Sequence, residues 1–160
     1  RTQNHTHANH YSTDDPVACE EFVQELLERG VSVAETCRDD VQNFESVIRL
    51  RIVTERQDRS ISGALFGQTP RVVEIKGVEM EASFAPHMLY VTNEDKPGFI
   101  GALGQTLGAA NVNIATFNLG RSAPGADAIA LLAVDEPVGE AVLTQVRALP
   151  HVRQAKALKF

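Results

Sequence analysis

This sequence has no excess of positive charge, only two cysteines and no apolar run of membrane-spanning length, and each shortage closes off a class of function. Its 15 basic and 21 acidic side chains leave a net charge of −6, so nothing draws the chain to a phosphate backbone. Cys19 and Cys37 have neither ligand spacing nor the number for a disulfide framework, and they read as reduced thiols of a cytoplasmic protein. With no spanning segment and no signal-peptide pattern at the start, no membrane partner is expected. No Gly-x-Gly-x-x-Gly follows a strand. Gly101, Gly104 and Gly108 fall inside a helical pattern instead, where close helix packing is the better reading of three costly glycines. Without a dinucleotide crevice there is no hydride chemistry. No nucleophile–base motif replaces it, and His87 and His151 read as solvated or packed. The chain is expected to be catalytically silent, with no catalytic residue, no metal and no cofactor of its own.

The 160 residues that remain to be explained suffice for one ordinary domain or two small ones. Residues 1–16 are polar, and His5, His7 and His10 read as part of a solvated, irregular tail, since nothing completes a spaced metal motif. Asp14-Asp15-Pro16 then opens a helix over Val17 to Arg29, with Phe22, Val23, Leu26 and Leu27 on its apolar side and Gly30 at its end. Val31 to Thr36 reads as a short strand.

From Ser46 the pattern is an antiparallel meander. Ile48, Leu50 and Ile52 alternate with Arg49 and Arg51, so one face is expected to be buried and the other to carry guanidiniums. Gln57-Asp58-Arg59, Gly67 to Pro70 and Lys76-Gly77 read as turns between four strands. Arg49, Arg51, Arg56, Arg59 and Arg71 are concentrated in an otherwise acidic half. They form either an anion pocket for a phosphorylated metabolite or a wet sheet face pairing with Glu45, Glu55 and Glu74.

The second half reads as β-α-β-β-α-β. Strands are expected at His87–Thr92, Val112–Leu119, Ala128–Val134 and Val152–Leu158, and helices at Pro97–Ala110 and from Asp135 to Pro150. Asn111 stands where a left-handed helix end is wanted. This is a ferredoxin-like order, an antiparallel sheet with helices on one face. RNA-binding sheets share the topology, but the third strand offers alanine, isoleucine and leucine where stacking aromatics are needed. The whole chain is therefore of the α+β class.

Between the first strand and helix of this half runs Thr92-Asn93-Glu94-Asp95-Lys96-Pro97-Gly98-Phe99-Ile100-Gly101. Pro97 suits a first helical turn, whose outward amides favour a carboxylate. Asn93 and Asp95 stand beside those amides with an amide group and a negative charge. Donors for a carboxylate next to an acceptor for an ammonium group make an amino-acid receptor. Each residue also has an ordinary reading: Asp95 as a helix cap, Asn93 as a turn former, Asn113 as an exposed strand start.

The runs Gly63-Ala64-Leu65-Phe66-Gly67 and Pro70-Arg71-Val72-Val73-Glu74-Ile75-Lys76-Gly77 resemble the intervening allosteric domain of long-form D-3-phosphoglycerate dehydrogenase. Ala85 to Gly98, with Asn113-Ile114-Ala115 and Leu119-Gly120-Arg121, resembles the ACT domain that ends that enzyme. The resemblance implies a partial intervening domain over 17–84 and an ACT domain over 85–160, with the irregular polar tail over 1–16 resembling nothing in it. It further implies L-serine bound where two ACT domains meet, as feedback inhibition of serine biosynthesis. By position, Asn93, Asp95 and Asn113 match ligand-contacting residues, with Asn113 coming from the partner or the same chain, and backbone groups of Pro97, Gly98 and Phe99 face the carboxylate. A second, anionic effector site is associated with the intervening domain, and Arg71, with Arg49 and Arg51, is the candidate for it here. The implied partners are L-serine and a second copy, as homodimer or tetramer, while NAD belongs to a catalytic domain outside this stretch. Alternatives are the regulatory part of an L-serine dehydratase subunit, which would want iron–sulfur cysteines, and a stand-alone ACT dimerisation module without a ligand.

Overall fold

The computed structural model describes residues 7–9, 32–34, 47–53 and 58–160. The helix expected over 17–29, and the side chains of His5, His7, His10, Cys19, Cys37, Glu45, Glu55 and Arg56, lie outside the described residues. The chain divides into two compact units, Arg1–Gly77 and Val78–Phe160. The boundary expected from the sequence falls between 84 and 85, so the strand in between is the point of difference.

In the first unit, β1 (His7–Asn9) and β2 (Ser32–Ala34) pair in parallel, giving strand structure within the segment expected to be irregular. Strands β3 (Val47–Val53), β4 (Asp58–Phe66) and β5 (Thr69–Ile75) form the antiparallel meander. Asp58 and Arg59 belong to β4 rather than to a turn, because Asp58 pairs in register with Val53. Ala64, Val72 and Ile75 are buried, whereas Ile48 is exposed, so the apolar face of β3 is only partly covered.

The second unit opens with β6 (Val78–Ser83), whose Val78 and Ala82 are buried. Then follow β7 (His87–Glu94), α1 (Phe99–Ala109), β8 (Ile114–Arg121), β9 (Asp127–Val134), α2 (Glu140–Arg147) and β10 (Val152–Lys159). The sheet order is β10-β7-β9-β8, every neighbour antiparallel. This is the expected ferredoxin-like sheet. Alternation decides its faces: Leu89, Val91, Ala130, Leu132 and Ala155 point to one core with Leu103 and Leu107 of α1 and Leu143 and Val146 of α2. Burying a leucine as completely as Leu103 or Leu107 contributes about 1.5–3 kcal/mol. On the other face, β6 approaches β8 so closely that a Cβ at Gly120 would meet Glu79 O at 2.5 Å and Val78 Cγ1 at 2.7 Å.

Two expectations about α1 need correction. Pro97 is not in its first turn: the helix begins at Phe99, and Gly98 is the N-cap with φ 94°, a left-handed conformation that suits glycine. Gly101, Gly104 and Gly108 do not mark close packing either, since a Cβ at any of them would have nothing within 4 Å. Asn111, at φ 57°, does take the left-handed helix-ending conformation.

Candidate functional site

The site is built where β7 leaves the sheet. Alternation puts Asn93 on the helix-facing side after Leu89 and Val91, which buries it to 2% exposure at the end of the core. Its Nδ2 donates to the carbonyl of Glu94 at 2.7 Å, while its Oδ1 is buried with no hydrogen-bond partner. The next turn is pinned by its backbone: Glu94 N–H donates to His151 O at 3.0 Å and Asp95 N–H to Ala126 O at 2.8 Å. Around Glu94, Arg153 Nη2 at 3.3 Å and His151 Nδ1 at 3.5 Å brace the outer edge, and Arg153 foremost holds the Glu94 carboxyl below the usual range.

Asp95 is not a helix cap. Its Oδ2 accepts from the backbone N–H of Gly125 at 3.0 Å and from Arg121 Nη1 at 2.7 Å. These bonds, the backbone one foremost, hold its carboxyl below the ordinary aspartate range, so it is charged at neutral pH. The helix amides are left to other partners. The first bond within α1 runs from Ala102 N–H to Gly98 O, at 2.9 Å, and Gly98 has no side chain to cap the amides before it.

These groups border a cavity of about 330 Å³, at the small end for ligand sites. Asn93, Asp95, Pro97, Gly98 and Phe99 all line it, so five of the sequence-derived site residues come together. Arg121, Leu119, Ile100 and Lys96 line it as well. Lys96 and Ile100 belong to the turn itself, whereas Leu119 and Arg121 do not follow from it. Arg121 and Leu119 arrive through the register of β8 on β9, where Arg121 stands opposite Ala128, itself opposite Asn93 across β9.

Asn113 is elsewhere. It precedes β8 at the far end from Arg121, exposed, with Nδ2 donating to Asp135 Oδ2 at 2.6 Å. A strand advances about 3.3 Å per residue, which places Asn113 about 20 Å along β8 from Leu119 at the cavity, so only another copy could present it there. The arginines of the first unit have partners within the meander. Arg49 pairs with Glu74 at 3.0 Å and Ser62 at 3.1 Å, Arg51 with Asp58, and Arg71 lies 5.0 Å from the Phe66 ring centre.

Residues 22–76 match the D-3-phosphoglycerate dehydrogenase intervening domain, and residues 87–151 match the ACT domain. The chain pairs these two regulatory domains of D-3-phosphoglycerate dehydrogenase. Similar proteins include the D-3-phosphoglycerate dehydrogenases of Synechocystis sp., 30% identical over 85% of this chain and 25% of that protein, and of Methanocaldococcus jannaschii, 28% identical over 82% and 25%. That of Mycobacterium tuberculosis is 34% identical over 76% of this chain and 24% of its own length. The chain thus spans about a quarter of the length of these relatives. The cavity lies wholly within the ACT domain and its adjoining strands. Among the described residues, no helix is long and apolar enough to cross a membrane.

Proposed function

We propose that the ACT domain binds L-serine in this cavity, between two copies of the chain, and that binding inhibits a D-3-phosphoglycerate dehydrogenase of which this stretch is the regulatory region. The observation that carries the reading is the meeting, at one small cavity, of uncapped helix amides, a charged Asp95 and a buried Asn93 whose Oδ1 has no partner. The carboxylate would sit on the amides near Phe99, and the ammonium beside Asp95. Asn113 of a second copy would fasten the ligand from across the interface. β8 is an edge strand of its sheet, and pairing between copies would cover it. A ligand that touches both copies favours the arrangement in which they meet. Inhibition would then require a coupling of about 1–3 kcal/mol to the catalytic part.

Calorimetric titration with L-serine, D-serine, glycine and L-phenylalanine tests this. Saturable binding of L-serine in preference to the others, lost in Asp95→Ala and Asn113→Ala, is the expected result. Equal affinity in both variants would place the ligand elsewhere, and no heat with L-serine would refute the reading.

A further inference from the structure

The end of β8 carries a charge that the serine reading leaves unused. Arg121 supplies the single guanidinium among the residues lining the cavity. One of its N–H groups donates to Asp95 Oδ2, and the Gly125 amide donates to that same oxygen. A guanidinium has five donors in a planar fork, so most of those on Arg121 lie outside this bond. Its side chain is 54% exposed, against 21% for Asp95, so the fork reaches outward over a more enclosed carboxylate. Asp95 Oδ1 takes part in neither bond. Beside them stands Asn93, buried, with an Oδ1 that no donor reaches. A polar atom left so inside a protein calls for an explanation, and a ligand donor is one.

Building on the proposal that this cavity takes an amino acid, we propose that Arg121 binds the ligand's carboxylate and that Asp95 and Arg121 together select zwitterions. The two side chains neutralise one another and hold the Ser122–Gly125 turn against the β7–α1 turn. They also present opposite charges side by side, as an α-amino acid does. Its ammonium meets Asp95 Oδ1, and one carboxylate oxygen meets the free edge of the Arg121 fork while the other faces the helix amides. An amine lacking the carboxylate leaves Arg121 unused. A hydroxy acid lacking the ammonium is repelled by Asp95. The selected class is therefore small α-amino acids, read by both charges.

The test titrates L-serine, glycine and L-phenylalanine into the chain, into Arg121→Gln and into Arg121→Lys, together with the amide of whichever amino acid binds. The unsubstituted chain should prefer the acid over its amide by about tenfold or more, the value of one charge-assisted hydrogen bond. In Arg121→Gln that preference should collapse towards one. Arg121→Lys should recover part of it, because the charge is kept and the fork is lost. An undiminished preference in Arg121→Gln overturns the proposal, and so does an equal loss of acid and amide, which would mean that Arg121 only shapes the turn. Arg121→Lys as poor as Arg121→Gln overturns it too. If no amino acid binds the unsubstituted chain, the amino-acid reading itself fails and takes this one with it. If one binds without regard to residue 121, only the role of Arg121 falls.

Discussion

Arg51 with Asp58, and Arg121 with Asp95, are the same chemical pair in two settings. In the first unit the pair lies on the face of β3 and β4, both side chains about half exposed, with Arg51 Nε donating to Asp58 Oδ1 at 3.0 Å. Arg49 and Glu74 form a second pair in the same meander. Water and salt screen such pairs, and they contribute little. In the second unit the carboxylate is more enclosed, shares its oxygen with a backbone amide 30 residues away, and stands beside a buried asparagine at a cavity. An ion pair marks a site only where its surroundings give it something further to hold. Here the meander holds its arginines in surface pairs, and the ACT domain sets one at the edge of a cavity.

Substitutions can break this contrast. The largest effect is expected from the core: Leu103→Ala should cost about 2–5 kcal/mol in urea denaturation, because a fully buried side chain leaves a cavity. Leu65→Ala, at 45% exposure in the first unit, should cost less than about 0.5 kcal/mol. Comparable losses at both sites would mean that the two regions do not differ in packing. Next come the glycines. Gly120→Ala should destabilise by about 1–3 kcal/mol, since its Cβ would press on the backbone of β6. Gly104→Ala, which meets open space in a helix, should stabilise by about 0.5–1 kcal/mol. The smallest effects concern the ion pairs. The folded state depresses the Asp95 pKa, so its stabilisation is present above the unfolded value near about 4 and disappears as pH falls through the lower folded value. The gap in stability between the unsubstituted chain and Asp95→Asn should therefore be flat near neutrality and close below about pH 4. Asp58, whose pKa is also lowered, by Arg51, should show the same sign with a smaller gap that salt erases. A salt-insensitive Asp58 gap as large as that of Asp95 would remove the distinction.

Much of the ACT domain was legible in the sequence because its signals are local. Alternation through Leu89, Val91 and Asn93, and helical spacing through Leu103 and Leu107, require no knowledge of distant contacts. The position of Asn93 and Asp95 at a cavity followed from the same run. What stayed hidden depends on register. Arg121 reaches the cavity only because β8 pairs with β9 from Ile114 to Arg121, and the backbone partner of Asp95 is an amide in the turn that joins those two strands. The same register carries Asn113 to the opposite end of the strand. Gly101, Gly104 and Gly108 misled because glycine in a helix suggests a close neighbour, whereas the space around them lies open. The nearness that does demand glycine is at Gly120, inside a strand, where close backbone approach is a recognised cause.

That nearness bears on where an ACT-domain piece of this chain should begin. Ile129, which faces Gly120 in register, is 3% exposed, and Leu131 and Met88 on the same side are as well hidden. A recombinant piece started at Ala85 would discard β6, the strand laid against β8 at Gly120, and lay bare a greasy strip around Ile129 of β9 that would make copies stick without any ligand. Scissors placed before Val78 let the module keep its own backing strand.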